Sequence, residues 1–334
     1  MKYFIFCLAV FALTLFSCSE QVTTTKSLYA SDTLTTDINV PTIMKLKGGT
    51  LLLVDMFSNE NLIKIFDANK KTLVTQLAQK GHGPSEFLHI SSADFSVQED
   101  TVLLDVFDPV KKILTTYNVN ELLKGNEKVK RLDFKKASES NYTEVFRIDG
   151  GFIATGLFSE GKYAIFDDSL KYQRFEGEYL SNASGETNIV KQAIANNGTT
   201  VFSSDRKHFV QLVYMASVLS FYTVRNLSIH KEKEYMIKPL NYKVQDDHII
   251  NNEVEGYLSA SYGKKHIYTL YCGTPESDGI ATYGKEIHVF SLDGELQEKY
   301  VLDISAFQIC VNEEESKLYV LSHEPRPCVL IYDL

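Results

Sequence analysis

Eight histidines, five cysteines and 43 acidic side chains are the groups in this 334-residue chain that could do chemistry. Their spacing narrows what that chemistry could be. His82, His89, His208, His230, His248, His266, His288 and His323 include no pair one helical turn apart, and no Cys-x-x-Cys occurs. The local zinc signatures are therefore missing. No Gly-x-Ser-x-Gly elbow marks a serine nucleophile. Cys272, Cys310 and Cys328 lie in apolar contexts and read as buried thiols. Cys310 and Cys328 could pair in an oxidising compartment, which would leave Cys272 free. No catalytic residue, resident metal or cofactor is assigned.

The most distinctive local motif is Lys80–Phe87, KGHGPSEF. Gly81 and Gly83 permit unusual backbone angles, and Pro84 restricts Gly83 before it. Successive glycine amides could form an anion nest. The competing reading is a tight crossover between two structural units, with Phe87 as an apolar plug where the second begins. No Lys-Ser/Thr follows as in a phosphate-binding loop, which favours the crossover.

The elements that would position these groups come from a repeat. Leu51–Asp55 is an apolar run, Met56–Asn61 a polar loop, and Leu62–Phe66 a run of β-branched and aromatic residues. The aromatic closing the second run recurs as Phe66, Tyr117, Phe166, Tyr222, Phe290 and Tyr332, and its partner run begins at Leu52, Leu103, Ile153, Val201, Tyr268 and Tyr319. A period of roughly 50 residues with several strands per unit is that of a propeller blade. The expected fold is all-β: a six-bladed β-propeller of four-stranded antiparallel blades. Unit six ends with the chain and lacks an outer strand, so an N-terminal strand, Ser27–Ala30 or a neighbour, should close it and cover its edge. LLVDMFS aligned on VLLDVFD puts Asp55 over Asp105 and Phe57 over Phe107, with both aspartates read as turn formers. Ser181–Asn188 and Asn241–Val254 read as polar connectors, with blade four starting near Ile189. The run Phe209–Val224 reads as core strands, since its length and polar content do not suit a membrane span.

The N-terminus carries an address. Lys2 precedes the apolar stretch Tyr3–Phe16, which is shorter than the ~20 residues that span a bilayer and suits a secretory signal. Leu15-Phe16-Ser17-Cys18 resembles a bacterial lipobox, in which the cysteine thiol is acylated after cleavage. The expected organisation is a signal peptide at 1–17, a lipidated Cys18 with a tether to residue 26, and one propeller domain at 27–334. The net charge of −9 becomes more negative once Lys2 is removed, which argues against nucleic acid.

Gly81-His82-Gly83-Pro84-Ser85-Glu86-Phe87, following a first blade in a chain of this kind, resembles the GxGPxEF turn of the TolB-like six-bladed propellers, envelope lipoproteins of Gram-negative bacteria. The resemblance implies a six-bladed propeller at the cell envelope, and it transfers no catalytic residue.

In propellers, loops joining blades and loops joining the middle strands form a cup around the central channel. On this chain they are expected to offer Phe57, Asn61, Phe107, Tyr142, Phe158, Arg206, Tyr283 and Arg326. Aromatics with arginines suit an envelope protein, a peptide or a glycan; the alternative is that Phe57, Phe107 and Phe158 pack between blades. The function expected is a lipid-anchored, outer-membrane, periplasmic or surface-facing binding module, with the membrane engaged through the N-terminal lipid. Two alternatives remain. One is a metal-dependent hydrolase or lyase of lactonase type, which needs three or four carboxylates, asparagines or histidines converging on the channel. The other is a structural partner in a nutrient-uptake or envelope complex.

Overall fold

The computed structural model describes residues 24–35, 38–136, 140–182, 185, 188–246, 248–250, 256–272, 283–324 and 326–334. Cys18 and the signal segment lie outside them. The chain forms six radially arranged antiparallel sheets, the expected six-bladed propeller. Blade one is Pro41–Lys47, Thr50–Asp55, Asn61–Asp67 and Thr72–Gln79. Blade two is Ser92–Gln98, Thr101–Asp108, Ile113–Asn118 and Val129–Asp133. Blade three is Tyr142–Ile148, Gly151–Gly156, Tyr163–Asp167 and Tyr172–Glu176. Blade four is Gly198–Phe202, His208–Val213, Ser217–Arg225 and Ser228–Lys238. Blade five is Tyr257–Tyr262, His266–Tyr271, Gly284–Ser291 and Leu296–Ala306. Blade six takes Gln308–Val311, Lys317–Ser322 and Cys328–Asp333 from the C-terminus.

The fourth strand of blade six comes from the other end of the chain. Asp32–Thr35 pairs antiparallel with Cys328–Asp333, Asp32 opposite Ile331 and Thr35 opposite Cys328. The edge is covered as expected, by a neighbour of Ser27–Ala30. The residues just before it do something else: Thr25–Leu28 adds parallel to the outer strand of blade five, making that sheet five-stranded.

The blades hold together because middle strands are apolar on both faces. Leu51, Leu52, Leu53 and Val54 are all fully buried, and buried clusters bridge each neighbouring pair of blades around the ring. Outer strands see water, and Ser228–Lys238 is accordingly charged and largely exposed. The run Phe209–Val224 splits into two buried strands of blade four. Among the described residues no helix is long and apolar enough to cross a membrane.

Turns follow their chemistry. Gly48 and Gly49, at φ of 53° and 78°, make the tight hairpin inside blade one. Asp67 and Asp167 end strands and accept from the amides of Asn69 and Ser169, both at 3.0 Å. Innermost strands do not pair between blades, so side chains satisfy their edges. Gln308 of blade six accepts from the Met44 amide at 2.6 Å and donates to the Thr42 carbonyl at 2.7 Å on blade one.

Several sequence expectations are corrected. Blade four starts at Gly198; Ile189–Ala195 is a short helix capped by the Asn188 side chain. Within the connector after blade four, Lys243–Gln245 and His248–Ile250 form a hairpin. Asp105 ends no strand. It lies mid-strand, 4% exposed, accepting from Arg147 at 2.9 and 3.0 Å and from Thr116 Oγ1 at 2.5 Å. The turn carboxylate of blade two is Asp108, which accepts from the amides of Leu88, Val110 and Lys111. Asp55 plays the same part in blade one toward Asn39 and Phe57.

Candidate functional site

Each first strand runs down the channel wall from the face that carries the inter-blade connectors, here called the upper face, to the opposite, lower face. The channel is blocked toward the lower end. Arg206, in the turn after the first strand of blade four, reaches across to blade two and donates to Asp94 Oδ2 at 2.7 Å. Its second guanidinium nitrogen donates to the Phe95 carbonyl. Lys45 of blade one stands 3.6 Å from the same Asp94 carboxylate. Below this, Lys47 pairs with Glu313 at 2.6 Å and donates to Ser204 Oγ at 3.2 Å. Burial alone would raise the Asp94 pKa, but Arg206 and Lys45 outweigh it and hold the carboxyl below its ordinary range.

Above the block is a polar cavity of about 150 Å³. Its walls include Thr42, Ser92, Glu144, Thr199, Tyr214 and Ser259, one or more from five blades. Ser92 is 6% exposed, and its hydroxyl has no protein partner. Burial pushes the Glu144 carboxyl up to about 8, against a smaller opposing pull from Lys45. Burial thus favours the protonated acid of Glu144 at neutral pH, and Thr155 Oγ1 donates to its Oε2 at 3.3 Å. A cavity lined by hydroxyls, one carboxyl, the Gln308 amide and Lys45 can receive a polar group. It is well below the ~300 Å³ at which pockets enclose a whole ligand.

Around this mouth the upper-face loops expose apolar tips. Phe57, Val110 and Leu157, each between the second and third strands of its blade, are 63%, 60% and 57% exposed. Tyr283 adds a ring on blade five that is 36% exposed. Its hydroxyl lies 3.1 Å from His323 Nδ1 on blade six, and Phe307 stacks on that imidazole. Sequence reasoning missed His323 and Phe307. Only their positions at blade starts and loop tips could have pointed to them.

The structure sorts the eight sequence candidates. Phe57, Asn61, Tyr283 and Arg326 lie on the upper face with some exposure. Phe107, Tyr142 and Phe158 do not reach it. They pack with Phe134 in one cluster between blades two and three, rings about 6 Å apart, closed to any ligand. Arg206 is at the other end of the channel, buried in the ion pair just described. Sequence spacing placed it in the wrong kind of loop.

The other chemistry-bearing groups are occupied. In KGHGPSEF, the Glu86 carboxylate itself accepts from the Gly83 amide at 2.7 Å, and Lys111 Nζ donates to the carbonyls of Gly81, Gly83 and Glu86. The nest is filled from within, and the segment is the crossover. Cys272, Cys310 and Cys328 are not joined by disulfides. Burial pushes Cys310 up to about 12, so it is no nucleophile. Burial, then Lys299, lowers His288 to about 3, leaving a neutral core imidazole bonded to Tyr257. Burial, then Lys231, lowers Lys162 to about 7, but the void it lines is about 30 Å³, room for about one water. Among the described residues, no three His, Cys, Asp or Glu side chains converge as a metal site.

A larger cleft of about 950 Å³ lies on the lower face between blades four and five. Its charges already answer one another: Arg225 faces Glu232 at 3.7 Å, and Lys47 is held by Glu313. The upper mouth, with its unpartnered hydroxyl and neutral carboxyl, is the better candidate.

Solved structures share this architecture at low sequence identity. A protein from Bacteroides fragilis NCTC 9343 described as exported is 11% identical, with 92% of this chain covering 99% of that one at a TM-score of 0.54. A member of the DUF4221 family from Bacteroides vulgatus ATCC 8482 is also 11% identical, over 93% and 96% of the two chains, at 0.54. U3-55K is 8% identical over 91% and 98%, at 0.51. These likenesses concern the fold. No curated protein matches the sequence. The match of residues 16–314 to the TolB-like 6-blade propeller-like family, on a chain folded as six such blades, makes this protein a member of that family.

Proposed function

We propose that this protein is a lipid-anchored propeller of the bacterial cell envelope that binds a partner at the upper mouth of its channel and performs no covalent step on it. The observation that carries the reading is the blind polar cavity of about 150 Å³ ringed by exposed apolar tips. A cavity of that size admits one polar substituent rather than a whole metabolite. The partner is then a protein, peptide or glycan that inserts one hydrogen-bonding group toward Ser92 and Glu144. The rest of it lies on Phe57, Tyr283 and neighbouring tips, with Asn61 and Arg326 at the rim. Exposed aromatics beside a polar pocket are the usual anchors of such contacts. The envelope part of the reading draws on the Lys2–Cys18 segment and on the description of the Bacteroides fragilis protein as exported.

The test is photo-crosslinking in the producing cell, with the cross-linking residue at Phe57, at Tyr283 or at the lower-face position Lys264. Adducts of one defined mass at the two upper positions, absent at Lys264 and lost in Glu144→Leu, support the reading. Adducts confined to Lys264 overturn it. Mass spectrometry of the mature N-terminus, with Cys18→Ala as control, checks the anchor.

A further inference from the structure

The strand Thr25–Leu28 fixes where the chain leaves the propeller. It runs parallel to the outer strand of blade five, Thr25 opposite Lys299 and Leu28 opposite Leu302. That outer strand rises from the lower-face turn before Leu296 toward the upper face at Ala306. Chain entry is therefore at the lower rim. Lys299 donates its amide to the Thr24 carbonyl at 3.3 Å, and Lys26 pairs with Glu298 at 3.1 Å. The Lys26 ammonium also lies 5.8 Å from the centre of the Tyr300 ring. Glu298 and Tyr300 line the lower-face cleft formed with Lys264, His266 and Glu315, which confirms the side. Leu28 packs on the core shared by blades five and six.

From Cys18 to Thr24 the chain advances six residues, which span at most about 21 Å when fully extended. Lys299 lies opposite His288 and Ala306 opposite Gly284, so the climb along the rim matches four residues of the neighbouring strand, about 13 Å at ~3.3 Å per residue. Because Thr25–Leu28 runs upward, a lipid on Cys18 reaches a bilayer below or beside the propeller along the line of the strand, whereas one against the upper face requires these six residues to reverse and climb back along the rim.

We infer that Thr25–Leu28 is an orienting latch: on the lipid-anchored protein it turns the lower face of blades five and six toward the phospholipid surface and points the channel mouth away from it. This rests on the lipid-anchor reading of Cys18 and adds to it a direction. The proposed partner then approaches from the aqueous side, and the lower-face clefts are shielded by lipid.

The chain has no tryptophan, so single tryptophans report position without background. Phe57→Trp labels the upper face and Leu292→Trp the lower face of blade five; both sites are at least half exposed. The full lipidated variants are placed in phosphatidylethanolamine/phosphatidylglycerol vesicles carrying a headgroup nitroxide. Fluorescence at position 292 should be quenched several-fold more than at position 57. Inserting about fifteen Gly/Ser residues between Gln21 and Val22 should bring the two toward equality, because a long flexible tether imposes no direction. Equal quenching with the native tether, in protein that floats with the vesicles, overturns the latch and leaves the anchor standing. Protein that carries acyl chains by mass spectrometry and fails to float, or carries none, removes the anchor and the latch with it.

Discussion

Arg206 on blade four meets Asp94 on blade two at 2.7 Å, joining two blades that are not neighbours in the ring. The Arg206 side chain is 6% exposed and that of Asp94 17%. Removing one partner of so enclosed a pair strands the other. Arg206→Ala or Asp94→Ala should each destabilise the fold by about 3 kcal/mol in urea unfolding, and the double variant should cost less than the sum of the two. Strict additivity would show that the two residues do not act as a pair.

Glu144 gives a pH signature. Its pKa rises from 4.5 to about 8 on folding, mainly through burial. The folded state thus keeps a proton that the unfolded state releases. The stabilisation is complete below about pH 4.5 and is lost as pH rises toward 8, at about 1.4 kcal/mol per pH unit at most. Glu144→Gln should melt closer to wild type at pH 5 and above it at pH 8. Parallel pH profiles for the two proteins would refute this.

The crossover loop predicts a compensating pair. A Cβ on Gly81 would sit 2.0 Å from Glu86 Oε2. Gly81→Ala should cost about 1–3 kcal/mol by crowding. Adding Glu86→Ala should return part of that loss, since the obstacle is a side chain. A double variant weaker than either single one would place the strain in the backbone.

Ring closure can be cut at two points. Removal of residues before Tyr29 deletes the strand on blade five and leaves blade six complete, so the protein should still melt cooperatively. Removal of residues before Asn39 deletes Asp32–Thr35, including the fully buried Leu34, and bares the Cys328–Asp333 edge. That protein should aggregate, as uncovered edge strands do. Light scattering during expression and refolding distinguishes the two.

The metal reading has its own test. With no triad of metal-binding side chains among the described residues, EDTA should leave the melting temperature unchanged. A bound ion at a hundredfold excess over its dissociation constant contributes about 2.7 kcal/mol, a shift of several degrees. A fall with EDTA that one metal reverses would revive the hydrolase reading.

The architecture was legible because buried middle strands impose apolar runs at blade spacing, and a shortage of strands at one terminus demands an excess at the other. The site was less legible. Asp55 and Asp105 look alike in sequence, yet the second strand of blade two, Thr101–Asp108, outlasts Thr50–Asp55 of blade one, and the turn carboxylate moves to Asp108. Phe57 and Phe107 part in the same way, one exposed and one fully buried. Arg206 and Asp94 meet, and Ser92 and Glu144 line one cavity, only because separate blades share an axis. No local pattern encodes such contacts. The helix Ile189–Ala195 escaped notice because it is short and its apolar residues are partly exposed.

Joining Asp32–Thr35 to Cys328–Asp333 also sets a timetable. A chain made from its N-terminus onward holds Asp32–Thr35 before any of the six blades and Cys328–Asp333 only after the five other blades have been made. For that interval Asp32–Thr35 has no mate, and the five other sheets can assemble only as an open arc. Closure pairs segments separated by all five other blades, a contact of long sequence separation and of the kind slow to form. Chains released early would lack the clasp altogether, so a fold that closes head to tail discards truncated copies by leaving them open.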